Sequence, residues 1–336
     1  MSNKVRIAVD AMGGESSPDK ILQGINISLK NNKDNFFYLY GKESSLNKKI
    51  LKFNSIKSFC KIIDCPNTIS DDESPLTAAK KGKDTSMWKS IESQKNGETD
   101  ITLSAGNTGA LLIISKLILK TLEGISKPAL AGLWPNENSM NIVLDLGANI
   151  ECNEKNLIDF ASMGSALHKA LFKDQLQKVA LLNVGLEEHK GNDILKKTYS
   201  ALKNITNKKF EFYGYIEGNQ IMHGNANVIV TDGFTGNVAL KTAEGTANFI
   251  TSNLKKSLNK ISIIFSARAL NKFKEKLDPR KYNGAIFVGL QGPVVKSHGA
   301  TDAIGFAHSI EMCNRIVKGN LIEKIKSHLI NVDASV

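Results

Sequence analysis

Short apolar runs recur along the chain, each ending in a polar, glycine-rich turn and most followed by a stretch with helical spacing. VRIAVD, starting at Val5, leads into Ala11-Met12-Gly13-Gly14, and ITLS, starting at Ile101, leads into Ala105-Gly106-Asn107-Thr108-Gly109. IVLDL ends at Gly147-Ala148-Asn149, VALLN at Val184-Gly185, and FEFYGYI at Glu217-Gly218-Asn219. VIVTD runs into Gly233-Phe234-Thr235-Gly236-Asn237; AIFVGL and PVVKS close the series at His298-Gly299. Runs that are apolar on both faces suit strands covered by helices on both sides, and their alternation with helices predicts a mostly parallel sheet. The expected fold is therefore a three-layer α/β/α architecture. Ligands of such sheets sit beyond the carboxyl ends of the strands, so the glycine turns are expected to converge on one cleft.

No linker, repeat or low-complexity tract divides the 336 residues, and residues 1–336 read as a single α/β unit. The stretch at about 243–278 differs. It is helical and lysine-rich around an apolar cluster of Ile261, Ile263, Ile264 and Phe265. It reads either as a helical hairpin or dimer contact that buries the cluster, or as an interfacial element for anionic lipid.

Composition narrows the partners. A formal charge of +11 favours acidic partners such as nucleic acid, anionic lipid, an acidic carrier protein or phosphate compounds, although lysine-rich usage also arises from genome-wide bias. Nucleic acid is disfavoured, because there is no reader motif and no row of aromatics for stacking bases. Cys60, Cys65, Cys152 and Cys313 have no metal or redox spacing and read as buried thiols of a reducing cytosol. The start of the chain shows no signal peptide, and the longest apolar run, Ala110 to Leu119, is too short to span a bilayer.

The candidate chemistry lies in the turns. Asp10 to Gly14 and Ser104 to Gly109 present backbone N–H groups at helix starts, where an anion is favoured. Asn183, Glu187, Lys190 and Asn192 form a second candidate anion loop, with Glu217 at the next strand end. Asp232, Thr235, Gly236 and Asn237 open a helix that carries Lys241 four residues after Asn237. Lys296, Ser297 and His298 end the last strand, where the histidine can serve as base, phosphate donor or structural hydrogen-bonder. The nucleotide motifs GxGxxG and GxxxxGK[ST], a GxSxG elbow and metal-ligand spacings are all absent, so neither a cofactor nor a metal is expected. Anion cradles, lysines and a histidine without a covalent nucleophile suit a reaction in which phosphate itself attacks.

DAMGG, SAGNTGA, DLGAN, LNVGxExxKGN, EGN, TDGFTGNVALKTAEG, DPRxYNGA and VVKSHG follow one another in this order. From Ala8 to about Ile310 the chain thereby resembles the bacterial acyl-[acyl-carrier-protein]:phosphate acyltransferases. The resemblance implies transfer of a long-chain acyl group from acyl carrier protein to inorganic phosphate, giving acyl phosphate that a membrane glycerol-3-phosphate acyltransferase consumes in phospholipid synthesis. It also implies an isocitrate/isopropylmalate dehydrogenase-like and phosphotransacetylase-like fold, a homodimer, and a cytoplasmic protein peripheral at the inner face of the cell membrane. Its site residues would be His298, Lys296, Lys241 and Asn237 for catalysis. Asp10, Gly13, Gly14, Ser104, Asn107, Thr108, Gly109, Asn183, Glu187, Lys190, Asn192, Glu217, Asp232, Thr235, Gly236 and Ser297 would bind phosphate or substrate. The chain departs from the pattern at Glu15, Gly82, Gln220 and Asn227. The alternatives are a phosphotransacetylase acting on acetyl-CoA, a decarboxylating hydroxyacid dehydrogenase of similar fold, and a non-catalytic membrane-associated scaffold.

Overall fold

The apolar runs pair into one 11-stranded sheet in the computed structural model, which describes residues 4–172, 175–205, 209–257 and 278–329. The strands are β1 (Val5–Asp10), β2 (Asn35–Gly41), β3 (Cys60–Asp64), β4 (Ile101–Ser104), β5 (Ala129–Pro135), β6 (Met140–Leu144), β7 (Lys178–Leu182), β8 (Glu211–Ile216), β9 (Val228–Val230), β10 (Ala285–Val288) and β11 (Val294–Lys296). Their order is β3-β2-β1-β4-β11-β10-β5-β6-β9-β7-β8. Pairing is parallel except for β10 with β11, β10 with β5, and β5 with β6.

Those three reversals split the parallel strands into two blocks that run in opposite directions. The carboxyl ends of β1, β4 and β11 lie on one edge of the sheet, and those of β6, β9, β7 and β8 on the other. The sequence pattern predicts one convergent edge. It misses the split because an apolar run carries no information about the direction of its neighbours.

Helices cover both faces. The helices α1 (Asp19–Asn31), α2 (Glu43–Ile50), α6 (Glu154–Leu171), α7 (Asp193–Asn204), α9 (Ala303–Lys318) and α10 (Leu321–His328) lie over one apolar cluster that includes Ile7, Ile21, Phe160 and Phe306. The helices α3 (Pro75–Lys81), α4 (Ser86–Lys95), α5 (Thr108–Leu119) and the inner side of α8 (Gly233–Ser257) lie over the other, which includes Met87, Leu111, Val143 and Phe287. Polar residues just outside the apolar stripes start these helices. Ser74, Thr85, Asn107, Asn192 and Asp302 each accept a first-turn backbone N–H, and Asn153 and Asn156 form a reciprocal capping box on α6.

Outside its first turns, α8 is mostly solvent-facing. Phe234 and Phe249 are 63% and 70% exposed, and they share a stripe with Val238 and Lys241. The helical region expected at about 243–278 is described only to Ser257 and again from Asp278. Its apolar cluster Ile261, Ile263, Ile264 and Phe265 lies outside the described residues. No helix among the described residues is long and apolar enough to cross a membrane.

Candidate active site

The carboxyl ends of β1, β4 and β11 bring three of the predicted turns together around a buried carboxylate. Asp10 is 2% exposed at the end of β1, where it accepts from Ser86 Oγ at 2.6 Å and Ser104 Oγ at 2.7 Å. Burial raises its carboxyl pKa, and the two serine hydrogen bonds oppose that rise. Ser104 Oγ also accepts from the Gly106 amide at 3.1 Å, which ties the β4 turn to the β1 turn. The two turns touch backbone to backbone: a Cβ on Gly13 would lie 2.6 Å from the Gly106 nitrogen. Gly14 has φ +80°, and a Cβ there would lie 2.8 Å from the Ala105 carbonyl oxygen, so the turn requires glycine twice over.

Lys296 closes this pocket from β11. It is 8% exposed, and its Nζ donates to the Ala105 carbonyl at 3.3 Å and to its neighbour's, Ser297 O. Burial lowers its pKa to about 8; the charges of Asp71 and Asp10 act the other way, and that of Lys20 acts in the same direction. Ser297 is fully buried, with its N–H on Ser104 O at 2.9 Å.

His298 stands on the rim. Its backbone N–H donates to Asn283 Oδ1 at 2.9 Å, while Asn283 Nδ2 donates to Ser297 Oγ at 2.9 Å, so one amide holds two consecutive residues of the KSHG turn. Nδ1 of His298 accepts from the Ala300 amide at 3.2 Å. A ring bonded in this way carries its proton on Nε2 and offers a donor outward. Desolvation of the inner part of the ring, then Lys296, lowers the histidine pKa, and the neutral form is favoured.

Asn107 caps α5 through Oδ1, with Ala110 N at 3.0 Å, and its Nδ2 donates to Asp71 O and Glu73 O, both at 2.9 Å. Its side chain is thus spent on folding the 71–75 segment over the turn. Thr108 is exposed at the first position of α5, and Gly109 packs beneath Pro75.

The second carboxyl edge builds the start of α8. Asp145 is fully buried and accepts from the amides of Leu130, Gly147, Ala148 and Asn149 and from Asn149 Nδ2, at 2.7 to 3.2 Å. The turn it organises receives α8 directly. Gly233 N donates to Asn149 O at 2.8 Å, Asn237 lies against Gly147, and a Cβ on Gly236 would fall 1.9 Å from the Asp145 carbonyl oxygen. Asp232 caps the helix by accepting from Thr235 N and Thr235 Oγ1 at 2.8 and 2.9 Å. Two turns along α8, Lys241 pairs with Glu244 at 2.7 Å, and both charges act on His298. The helix therefore links the two edges, bringing Lys241 into electrostatic reach of the KSHG turn.

The third predicted set sits apart. Asn183 Nδ2 donates to Lys190 O at 3.3 Å, Glu187 and Lys190 fold against Gly185, and Asn192 caps α7. Glu217 and Gln220 form a reciprocal cap beyond β8. The hydrogen bonds of this set stay within the loops after β7 and β8 and the start of α7, and none of them reaches Lys296 or His298.

Three of the departures from the sequence pattern, at Asn227, Gly82 and Gln220, have local explanations, and nothing in the structure explains the side chain at Glu15. Asn227 accepts from Lys178 N at 2.8 Å and donates to Leu176 O at 2.7 Å, a pair of bonds that needs an amide. A Cβ on Gly82 would lie 2.7 Å from the Trp88 ring. Gln220 Oε1 accepts from Glu217 N at 3.1 Å, and the Glu15 amide donates to Gly299 O at 3.1 Å. Sequence reasoning missed Lys20, Ser86, Asn283 and Asp145 as builders of the site. Asn283 and Asp145 stand within DPRxYNGA and DLGAN, and Lys20 is a lysine on the mostly apolar inner face of a helix, so these three left a signal. A separate groove of about 540 Å³, lined by Gln94, Asp100, Ile118, Lys120 and Gln291, opens at the opposite ends of β4 and β11 and shares no residue with the site.

The fold is that of the phosphotransacetylases. A phosphotransacetylase from Streptococcus pyogenes superposes with a TM-score of 0.64 at 17% identity, covering 95% of this chain and 94% of that one. The EutD phosphotransacetylase from Staphylococcus aureus gives 0.63 at 16% identity, with 95% of each chain covered. The chain belongs to the phosphate acyltransferases and is an acyltransferase. The family model described as "Fatty acid synthesis protein" matches residues 5–324. A phosphate acyltransferase of Pelagibacter ubique (strain HTCC1062) is 57% identical over 98% of this chain and 100% of its own length. One from Paramagnetospirillum magneticum is 40% identical over 97% of this chain and 94% of its own length.

Proposed function

We propose that the chain transfers a long-chain fatty acyl group from acyl-[acyl-carrier-protein] to inorganic phosphate, and that the acyl phosphate serves a membrane glycerol-3-phosphate acyltransferase in phospholipid synthesis. The observation that carries this reading is Lys296, a buried ammonium over paired glycine turns, with the neutral His298 beside it. Phosphate binds to turn amides and Lys296, with Lys241 contributing charge from α8. One phosphate oxygen attacks the thioester carbonyl, the carbonyl π pair moves to oxygen, and collapse of that oxyanion expels the carrier's thiolate. His298 Nε2–H and the turn amides donate to the oxyanion. A thiol leaves with little acid assistance, since its pKa is near 8.5, and phosphate near neutral pH is already partly dianionic. Catalysis is then chiefly positioning and electrostatics.

Asp10, Ser104 and Ser297 shape the pocket in this scheme, and Asp232, Thr235, Gly236 and Asn237 fix α8. The loop of Asn183, Glu187, Lys190 and Asn192, with Glu217, belongs to the donor side. A net charge of +11 suits steering of an acidic carrier protein. The exposed stripe of Phe234, Val238 and Phe249 supports a homodimer, and the adjoining lysine-rich region supports contact with an anionic membrane surface at the cytoplasmic face. The test is acyl-phosphate formation from long-chain acyl carrier protein and orthophosphate, with acetyl-CoA as a parallel donor. Product from the first donor alone is expected. Product mainly from acetyl-CoA refutes the carrier-protein reading, and product from neither refutes transfer to phosphate.

A further inference from the structure

Lys20 occupies a position where a lysine is costly. Its neighbours on the inward face of α1, Ile21, Leu22 and Ile25, are all fully buried, and Lys20 itself is only 5% exposed. Its Nζ donates to the Gly299 carbonyl oxygen, the residue after His298, as Lys296 Nζ donates to the Ala105 carbonyl oxygen. Both carbonyls line Gly14: a Cβ there would lie 2.9 Å from Lys20 Nζ, 2.8 Å from Ala105 O and 3.0 Å from Gly299 O. Both ammonium groups therefore sit on carbonyls that line a single glycine turn. The charge of Lys20 lowers the pKa of Lys296, and among the described residues neither lysine forms an ion pair with a carboxylate. The nearby acidic groups are Glu15 and Asp71, which act on Lys20 only through space, and Asp10, whose oxygens are taken by Ser86 and Ser104.

Two buried cations held only by carbonyl dipoles are an arrangement that a bound anion would relieve. The amides of Gly13 and Gly14 donate to no protein acceptor among the described residues, which leaves two further donors on the same turn. We infer that Lys20 and Lys296 together form a two-ammonium clamp for the phosphate acceptor, with the Gly13–Gly14 amides as its floor, and that Lys20 is a phosphate-binding residue. The inference rests on the proposed transfer to phosphate and names the residues that hold its acceptor. Two positive charges match the dianion of orthophosphate. A phosphodiester, such as the one that links a carrier protein to its prosthetic arm, has a single negative charge and leaves one ammonium uncompensated.

The experiment compares wild type with Lys20→Gln and Lys20→Arg. It measures KM for phosphate and for long-chain acyl carrier protein separately, and binding of inorganic phosphate by equilibrium dialysis in the absence of donor. Circular dichroism and thermal melting check that each variant is folded. A lost charge-assisted hydrogen bond is worth about 10- to 100-fold in affinity. Lys20→Gln is expected to raise the phosphate KM and dissociation constant by about tenfold or more while the donor KM stays within about twofold, and Lys20→Arg to recover part of the loss. An unchanged phosphate KM and dissociation constant in a folded Lys20→Gln overturns the inference, as does a rise confined to the donor KM, which would assign Lys20 to the carrier's phosphodiester. Inactive wild type overturns the underlying transfer reading instead, and phosphate dialysis still decides the clamp.

Discussion

Replacing Lys296 with methionine should make the protein more stable while ending its activity. Lys296 is 8% exposed, and its pKa falls from 10.5 to about 8, so the folded state holds its proton less tightly than the unfolded chain. A lysine shifted in this direction contributes fully above the unfolded pKa, and stability is lost as pH falls from 10.5 towards 8. At neutral pH the gross penalty for keeping the ammonium charged inside is about 3 kcal/mol. Methionine has a similar stem and no charge. It also forfeits the bonds to Ala105 O and Ser297 O, which offsets about 1 kcal/mol each. The net gain for Lys296→Met at pH 7 is then about 1 kcal/mol, a rise of about 2 °C in Tm for a domain of this size. The cleaner quantity is its pH dependence. Urea denaturation of both proteins at pH 7 and pH 10 should show the variant's advantage shrinking by about 2 kcal/mol, since wild-type Lys296 is already neutral at pH 10. Acyl-phosphate formation by the variant should fall by at least about 100-fold, the cost of removing one buried charged donor from an anion site. A variant that is less stable at pH 7, or an advantage that does not change between the two pH values, would show that Lys296 is not a strained buried cation.

The remaining predictions test the supports of the site. Gly236→Ala puts a methyl 1.9 Å from the Asp145 carbonyl oxygen, so α8 must back away; limited proteolysis should cut α8 faster, stability should drop by about 1–3 kcal/mol, and turnover should fall as Lys241 retreats from His298. Asn283→Ala removes the bonds to Ser297 Oγ and His298 N; a fall of about tenfold in kcat with little change in phosphate KM is expected, and the opposite split would place Asn283 in binding. His168 is fully buried, its ring nitrogens have no hydrogen-bond partner among the described residues, and burial lowers its pKa to about 4. It therefore supports the fold above pH 6.5 and undermines it as pH falls towards 4, and at pH 5 His168→Leu should be more resistant to urea than wild type by about 2 kcal/mol beyond any difference at pH 7.

Much of the fold was written in the local pattern. Runs such as VRIAVD and VIVTD are mostly apolar because both faces of their strands are covered, and Ser74, Thr85, Asn153 and Asp302 mark helix starts through hydrogen bonds that span only three residues. The glycines of DAMGG and GFTGN were equally visible, and the order of the motifs indicated the family. Local pattern ends where contacts become long-range. Only the tertiary structure reverses the sheet through β10, β5 and β6, because strand direction is settled by which neighbour an edge meets, and the sequence of one strand does not encode that. The same distinction separates the lysines. In sequence Lys20, Lys190, Lys241 and Lys296 are one residue type, yet burial leaves Lys190 in an exposed loop and Lys241 paired with Glu244, while Lys20 and Lys296 lie dehydrated beside one glycine turn. Desolvation is a property of the surroundings, and residues 276 positions apart become neighbours only when the sheet closes between them.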